Sequence, residues 1–528
     1  MVAELAADPA ADSVERRAPS ADGPLSRWWL AGLAVVLAGA VAHQRLFTTL
    51  AEDAFISLRY SAQLVAGNGP VFNPGERVEG YSNFLWVVLV AAPGFVAHVD
   101  LVTAARLLGV ACTVATVALV ALLVRRITGS GWAGVGAAAL TAASGSVAAY
   151  GPSGLETPLF TALLLAAVVA LLADQPVLAG LLVAAATMTR PDGALVGLVL
   201  LAWLAARREW RPAVRLLAAA AVPGAVWTAW RLSYYGHLLP NPIAAKSGMD
   251  LGWQLESGWA YLAGFAQAAW PLLVLAAVAV VALTLRPPAP AVGPPVVLLA
   301  SLALVYTAFF VVAGGDWMPA WRFFAPAVPL LAAIVGVGLS VVWTLPERVT
   351  AAAAVAVVCV LGVATSITNL MMLDRVRLWH RQVDDLASVG GWLNRTLPPG
   401  TVIATFANGA LSYQAKDLVV VDLLGLTDEH IAREGDRDPR GVVGHAAHDW
   451  DYVTGDRRPE VIVDNGNGWW RAPSCWVRPE LADDYVPRLF QPAPGLWMTV
   501  LVRADRADEV TALLAADRQY VVATEQCT

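Results

Sequence analysis

Residues 52–86 read EDAFISLRYSAQLVAGNGPVFNPGERVEGYSNFLW. The stretch sets two adjacent carboxylates, Glu52 and Asp53, just past the first apolar segment of a chain that otherwise avoids charge. Phe55, Leu58, Ala62 and Val65 recur at helical spacing and form an apolar stripe, while Glu52, Arg59 and Gln63 share another face. The pattern predicts a helix lying on a membrane surface, with Asp53 at its N-terminal end, where the helix dipole favours an ionised carboxylate. Gly67-Asn68-Gly69-Pro70 stops it. Asp53 is then placed to accept a proton from a hydroxyl or, with Glu52, to hold a divalent metal; an acid that only caps the helix is the structural alternative.

The rest of the chain supplies the membrane. Of 528 residues, 58% are hydrophobic and 14% charged, with a mean hydropathy of +0.59, against about 25% charged in soluble domains. This composition reads as a polytopic α-helical membrane protein. The net charge of −6 is spread out, and no Lys/Arg tract is present to neutralise a phosphate backbone, which excludes nucleic acid as a partner. Residues 1–27 are rich in Ala, Pro, Asp and Ser, lack the apolar core of a secretory signal, and read as a disordered cytoplasmic tail. Cys112 and Cys359 fall in apolar segments, where a thiol acts as a small hydrophobe. Cys475 and Cys527 fall in the polar C-terminal region, as a disulfide or as two unrelated thiols.

Apolar segments near 28–49, 101–124, 132–150, 157–173, 177–189, 193–206, 213–232, 262–284, 295–313, 325–343 and 350–370 give about eleven spans. With that count Arg16, Arg17 and Arg27, then Arg125 and Arg126, then Arg207, Arg208, Arg211 and Arg215, then Arg286 and Arg348 all fall on one side, the cytoplasmic one. Counting 82–97 as a crossing would invert the later loops, so it is expected to lie in the outer leaflet as a wall for a lipid tail or as packing. The halves of 177–206 are short and separated by Arg190-Pro-Asp-Gly193, which predicts a broken pair of half-helices lining a cavity.

The polar signatures then collect on the outer side. SGLET (153–157) offers Glu156 at the start of a span, and TRPDG (189–193) offers Arg190 and Asp192. YYGHLLPNP (234–242), followed by AKSG (245–248), brings His237, Asn241 and Lys246; GGDWMPAWRF (314–323) brings Asp316, Trp317, Trp321 and Arg322. Ionisable residues at membrane depth are costly and usually functional. Lys246, Arg190, Arg322 and Arg59 are the candidates for holding a phosphate, and Glu156, Asp192, Asn241, His237, Asp316 and Trp317 for binding sugar or acceptor. Against this stands a plainer account, in which RPDG is a helix break and the tryptophans are the interfacial belt. After Asp374 the alternation of elements predicts a soluble α/β domain: a helix over 379–397, strands at 401–406, 418–422, 460–464 and 497–502, a short helix near Leu411 and a last helix over 507–516.

Taken in order, EDAFISLRY, GNGPVFNPGERVEGYSNFLW, SGLET, TRPDG, YYGHLLPNP, AKSG, GGDWMPAWRF and the tail signature VVDLLGLTDEHIA (420–432) with GH (444–445) resemble the actinobacterial membrane arabinofuranosyltransferase family, from about residue 28 to the last strand. The resemblance implies the C-type glycosyltransferase fold, a catalytic acid in the first outer loop, and a polyprenyl-phosphate sugar donor such as decaprenyl-phosphoryl-arabinose. The family's acid pair falls on Glu52 and Asp53, with Asp53 the catalytic candidate; Glu52 stands where the family usually has Asp. The expected organisation is a tail (1–27), a transmembrane domain (28–371) with its catalytic loop at 50–100, and an extracytoplasmic α/β domain (372–528), in a plasma-membrane enzyme moving a pentofuranose to a cell-envelope glycan. A lipid or sugar transporter and an envelope scaffold are the rival readings. A transporter predicts an internal repeat and mid-membrane charges, and a scaffold predicts dispensable loop acids.

Overall fold

The computed structural model describes residues 27–48, 50–287, 289–342, 348–441, 444–463 and 478–517. Its helices run α1 (Arg27–Gln44), α2 (Ala54–Val65), α3 (Phe84–Ala97), α4 (Leu101–Thr128), α5 (Gly131–Ala143), α6 (Gly145–Tyr150), α7 (Thr157–Leu172), α8 (Pro176–Thr189), α9 (Gly193–Ala206), α10 (Trp210–Tyr235), α11 (Asn241–Ala245), α12 (Leu251–Ala268), α13 (Trp270–Leu285), α14 (Gly293–Val312), α15 (Ala327–Val342) and α16 (Arg348–Thr396). Among the described residues four segments, Leu101–Thr128, Trp210–Tyr235, Gly293–Val312 and Arg322–Val341, are long and apolar enough to cross a bilayer. Shorter apolar helices pack around them, and the chain is a multi-pass membrane protein.

Local chemistry sets the helix ends. The Asp100 carboxylate accepts from Thr103 N–H at 2.9 Å to start α4, and Gly129 in the left-handed region ends it. Ser130 then caps α5 through Ala133 N–H at 3.2 Å. The segment read as a span over 262–284 begins earlier, as α12, and turns by 84° into α13. Pro271, in the first turn of α13, has no N–H to continue the α12 ladder. Across Arg190–Asp192, α8 and α9 pack back against each other, as two half-helices. The segment 82–97 is α3, which packs on α2, α4 and α8 through Trp86, Val87, Val90, Ala91 and Gly94.

The boundary expected at residue 372 falls inside α16, one helix that continues into a second layer. Here β1 (Val402–Thr405), β2 (Val419–Asp422), β3 (Asp436–Arg437), β4 (Ala447–His448), β5 (Val461–Val463), β6 (Tyr485–Ala493) and β7 (Leu496–Arg503) alternate with α17 (Ala410–Gln414), α18 (Glu429–Arg433), α19 (Trp450–Tyr452) and α20 (Ala507–Ala515). The five-stranded sheet has the order β2-β1-β5-β7-β6, with β1 parallel to β2 and β5, and β7 antiparallel to β5 and β6. Strand β6 was not expected, because Pro487 and Pro492 interrupt its pattern; an edge position tolerates both. Trp392 of α16 lies beneath the sheet, fully buried, and donates its Nε1–H to Leu514 O.

Helix α2 corrects the first expectation. It does not lie open on a surface: every residue from Ala54 to Ser61 is buried, between α3 and α4 on one side and α17 on the other. Tyr60, Phe72, Tyr81 and Trp86 of the first loop share one continuous apolar cluster with Trp392, Ile403, Leu411 and Val421. The N-terminal tail and the proposed pairing of Cys475 with Cys527 lie outside the described residues.

Candidate active site

The two acids at the head of α2 part ways. Ala51 N–H donates to Ser153 O at 2.8 Å, which pins the turn before α2 against the SGLET loop. From that turn Glu52 points into the C-terminal layer, where its carboxylate accepts the Gly409 N–H at 2.5 Å. A Cβ on Gly409 would stand 2.0 Å from Glu52 O, so only glycine admits this approach. Asp53 takes the N-cap position without capping, and its side chain, 27% exposed, faces a cavity of about 510 Å³. The capping alternative therefore does not describe Asp53.

That cavity gathers most of the ionisable candidates: Asp53, Glu156, Arg190, Asp192, Lys246, Asp316 and Arg322 line it together with Trp317. Arg322 pairs with Asp316 (Nε to Oδ2, 2.8 Å) and reaches Asp53 (Nη1 to Oδ2, 3.8 Å). Arg190 donates Nε–H to Asp192 at 3.0 Å and is enclosed by the faces of Phe160, Phe310 and Phe323, while Tyr306 donates to the other Asp192 oxygen at 2.5 Å. Glu156 accepts from Asn83 Nδ2 at 2.9 Å, and Asn83 bonds Ser57, four residues along α2 from Asp53. Among the described residues Lys246 has no ion-pair partner within 4.0 Å. It is the cation left available to a ligand.

Enclosure shifts the charges here. Lys246 is ringed by protein yet reached by water from the cavity; desolvation lowers its pKa, with Asp53 opposing. Burial raises Asp316, and Arg322 holds the rise in check. Burial, with Asp53 adding, pushes Glu52 up to about 8. Glu52 is turned to Gly409 and is not in the lining of the cavity that Asp53 faces. Among the described residues no three His, Cys, Asp or Glu side chains converge as metal ligands.

Four candidates sit elsewhere, for identifiable reasons. Arg59 is no phosphate ligand: its guanidinium is buried and donates to the carbonyls of Phe72, Ser412, Ala415 and Leu418 and to Asn73. Asn241 donates to Gly425 O and Asp428 O, both at 2.8 Å, holding the DLLGLTDEH turn. His237 meets Glu429 at 2.6 Å on the same interface, and Glu52 joins the latch at Gly409. Sequence reasoning passed over Ser57, Asn83 and Tyr306, which orient Glu156 and Asp192. Ser57 carried a signal, since its i+4 spacing from Asp53 puts both on one helix face.

Residues 375–521 match a domain of unknown function, DUF8728. The chain is 32% identical over 270 residues to the terminal beta-(1->2)-arabinofuranosyltransferase of Mycobacterium tuberculosis, a match covering 47% of this chain and 42% of that protein. It is 29% identical over 370 residues to the enzyme of the same name from Corynebacterium glutamicum, covering 59% of this chain and 51% of that one. The matches thus span about half the length of these relatives, and the resemblance read from the motifs stands. Among solved structures, ArnT from Cupriavidus metallidurans in the apo state superposes with a TM-score of 0.58 at 14% identity, over 90% of this chain and 97% of that one. ArnT bound to undecaprenyl phosphate gives 0.56 at 15%, with the same coverage.

The chain has the ArnT fold. The C-type glycosyltransferase architecture expected from the motifs is therefore present, with the C-terminal sheet layer stacked on the first loop. Within the ArnT fold this chain places its cavity where the first loop, the RPDG turn, the Lys246 loop and the Asp316 loop meet.

Proposed function

We propose that the protein transfers a pentofuranose, arabinofuranose, from a polyprenyl-phosphate donor to a cell-envelope glycan at the outer face of the plasma membrane. The observation that carries this is that Lys246, without an ion-pair partner among the described residues, shares one cavity with Asp53. An acid that accepts a hydroxyl proton and a cation that holds a phosphate are the two requirements of glycosyl transfer from a phosphate leaving group. The names of the two curated relatives support the sugar, and the ligand of ArnT supports the lipid carrier. Decaprenyl-phosphoryl-arabinose is the donor assigned on that basis.

In this reading Asp53 takes the proton of the acceptor hydroxyl as its oxygen bonds to the anomeric carbon. The bond from that carbon to the phosphate oxygen breaks, and polyprenyl phosphate leaves with the electron pair. Lys246 and Arg322 stabilise the departing charge, and Arg190 holds Asp192 in the wall. Glu156, fixed by Asn83, orients sugar hydroxyls. The C-terminal layer caps the site from the extracytoplasmic side, on a transmembrane domain of about eleven spans.

Purified protein supplied with decaprenyl-phosphoryl-arabinose and an arabinan acceptor tests the reading. Asp53→Asn should lower kcat by about a thousandfold, and Lys246→Met should raise the donor KM by about tenfold. Wild-type turnover retained in Asp53→Asn would overturn the catalytic assignment, and no turnover with any polyprenyl-phosphate sugar would overturn the function.

A further inference from the structure

A second cavity, of about 650 Å³, adjoins the first, with Asp316 and Trp317 in both linings. Its other walls come from the C-terminal end of α12 and from the stretch of α16 between Met372 and Gln382. Three tryptophans stand in it. Trp317 and Trp379 meet edge to face at 5.9 Å. Trp321 has φ of 50° and follows Ala320 at 66°, two successive non-glycine residues in the left-handed region. Such backbone persists only where its surroundings fix it, and it gathers at ligand-holding sites. Gly264 makes the room: a Cβ there would lie 3.1 Å from Trp321 Nε1.

Three polar side chains, Gln267, Arg375 and Gln382, line the same cavity, and none has a hydrogen bond or ion pair with another described residue. Flat aromatic faces with free amide and guanidinium groups beside them match a polyhydroxylated ring. Its C–H face packs on an aromatic plane, and its hydroxyls bond to the amides. Gln267 and Arg375 are exposed at the mouth of the cavity and Gln382 is half-buried, so ring hydroxyls can replace the water on all three.

We infer that this cavity is the acceptor-glycan site, with Trp321 and Trp379 stacking sugar rings and Gln267, Gln382 and Arg375 bonding their hydroxyls. The inference rests on the glycosyl-transfer reading and names where its acceptor sits. A glycan held there presents its end to the wall that carries Asp316, and through it to the Arg322–Asp53 contact.

The test is binding of a soluble arabinofuranose oligosaccharide to the full chain in nanodiscs, with no donor present. Saturable binding should weaken about tenfold or more in Trp321→Ala and in Gln382→Ala and recover in Trp321→Phe, while affinity for polyprenyl phosphate stays unchanged. Absence of saturable binding to the wild type, equal binding by all variants, or loss of polyprenyl-phosphate affinity instead would overturn the inference. Binding with the expected variant pattern, but without turnover of any polyprenyl-phosphate sugar, would support the cavity and sink the transfer reading. Turnover with an acceptor KM unmoved by either variant would do the reverse.

Discussion

Glu52 and Asp53 share a peptide bond and divide two tasks between them. The sequence placed both acids at the head of a helix but was silent on which faced the cavity, because the partner that decides it, Gly409, lies 357 residues away. Burial under Gly409 and the neighbouring charges of Asp53 and Asp422 raise the Glu52 pKa from 4.5 to about 8. The folded chain therefore binds the Glu52 proton more tightly than the unfolded chain between those values. Its contribution to stability is fully present below about pH 4.5 and is lost as the pH rises through about 8. Glu52→Gln keeps a carbonyl for the Gly409 N–H and removes the titration. Melting curves from about pH 5 to about pH 9 should show the variant gaining about 2 °C or more on the wild type as pH rises. Parallel profiles would show that Glu52 does not titrate in this window.

At the scale of elements, what was legible followed from local pattern. Helix α2 begins at Ala54, directly after the acid read as its start, and the half-helices either side of RPDG are α8 and α9. What was hidden depended on remote partners. The stripe of Phe55, Leu58, Ala62 and Val65 announced one buried face, yet Arg59 and Gln63 on the other face are buried too, Arg59 against Ser412 of α17 and Gln63 bonded by Asn68. A charged residue reads as solvent-facing until its partners are known, and four of the five partners of Arg59 are backbone carbonyls, which carry no sequence signature. The contact of α17 with α2 predicts a steric result. Gly409→Ala puts a Cβ against Glu52 O with backbone on both sides, so α17 must withdraw. The variant should lose about 2–4 kcal/mol of stability, read as a lower Tm in detergent, with transfer activity falling in parallel. An unchanged Tm would mean that the layers separate by about 1 Å or more without loss.

In the whole molecule the acid site is closed by the C-terminal sheet layer, and the closure is specific. Leu426 and Gly444 of the C-terminal layer line the same cavity as Asp53, so the site is incomplete without it. Arg59, the Arg457–Glu76 pair at 2.9 Å, the His237–Glu429 pair at 2.6 Å and Asn241 hold the layers together. Arg457 and His237 are partly exposed, and exposed pairs contribute about 1 kcal/mol at most. Arg59 is different, since its buried guanidinium donates to Ser412 O and Leu418 O of the C-terminal layer, and shares Ala415 O with the Leu418 N–H. Arg59→Met removes these bonds and should weaken docking by about 3–5 kcal/mol. Hydrogen exchange then distinguishes docking from folding. Amides from Gly409 to Val420 should exchange faster by about a hundredfold or more, while β5 and β7, paired within the sheet, keep their protection. Transfer activity should fall with the loss of docking, because the cavity loses one wall. Equal acceleration throughout the sheet would mean that Arg59 stabilises the domain itself and not its seat on the acid site.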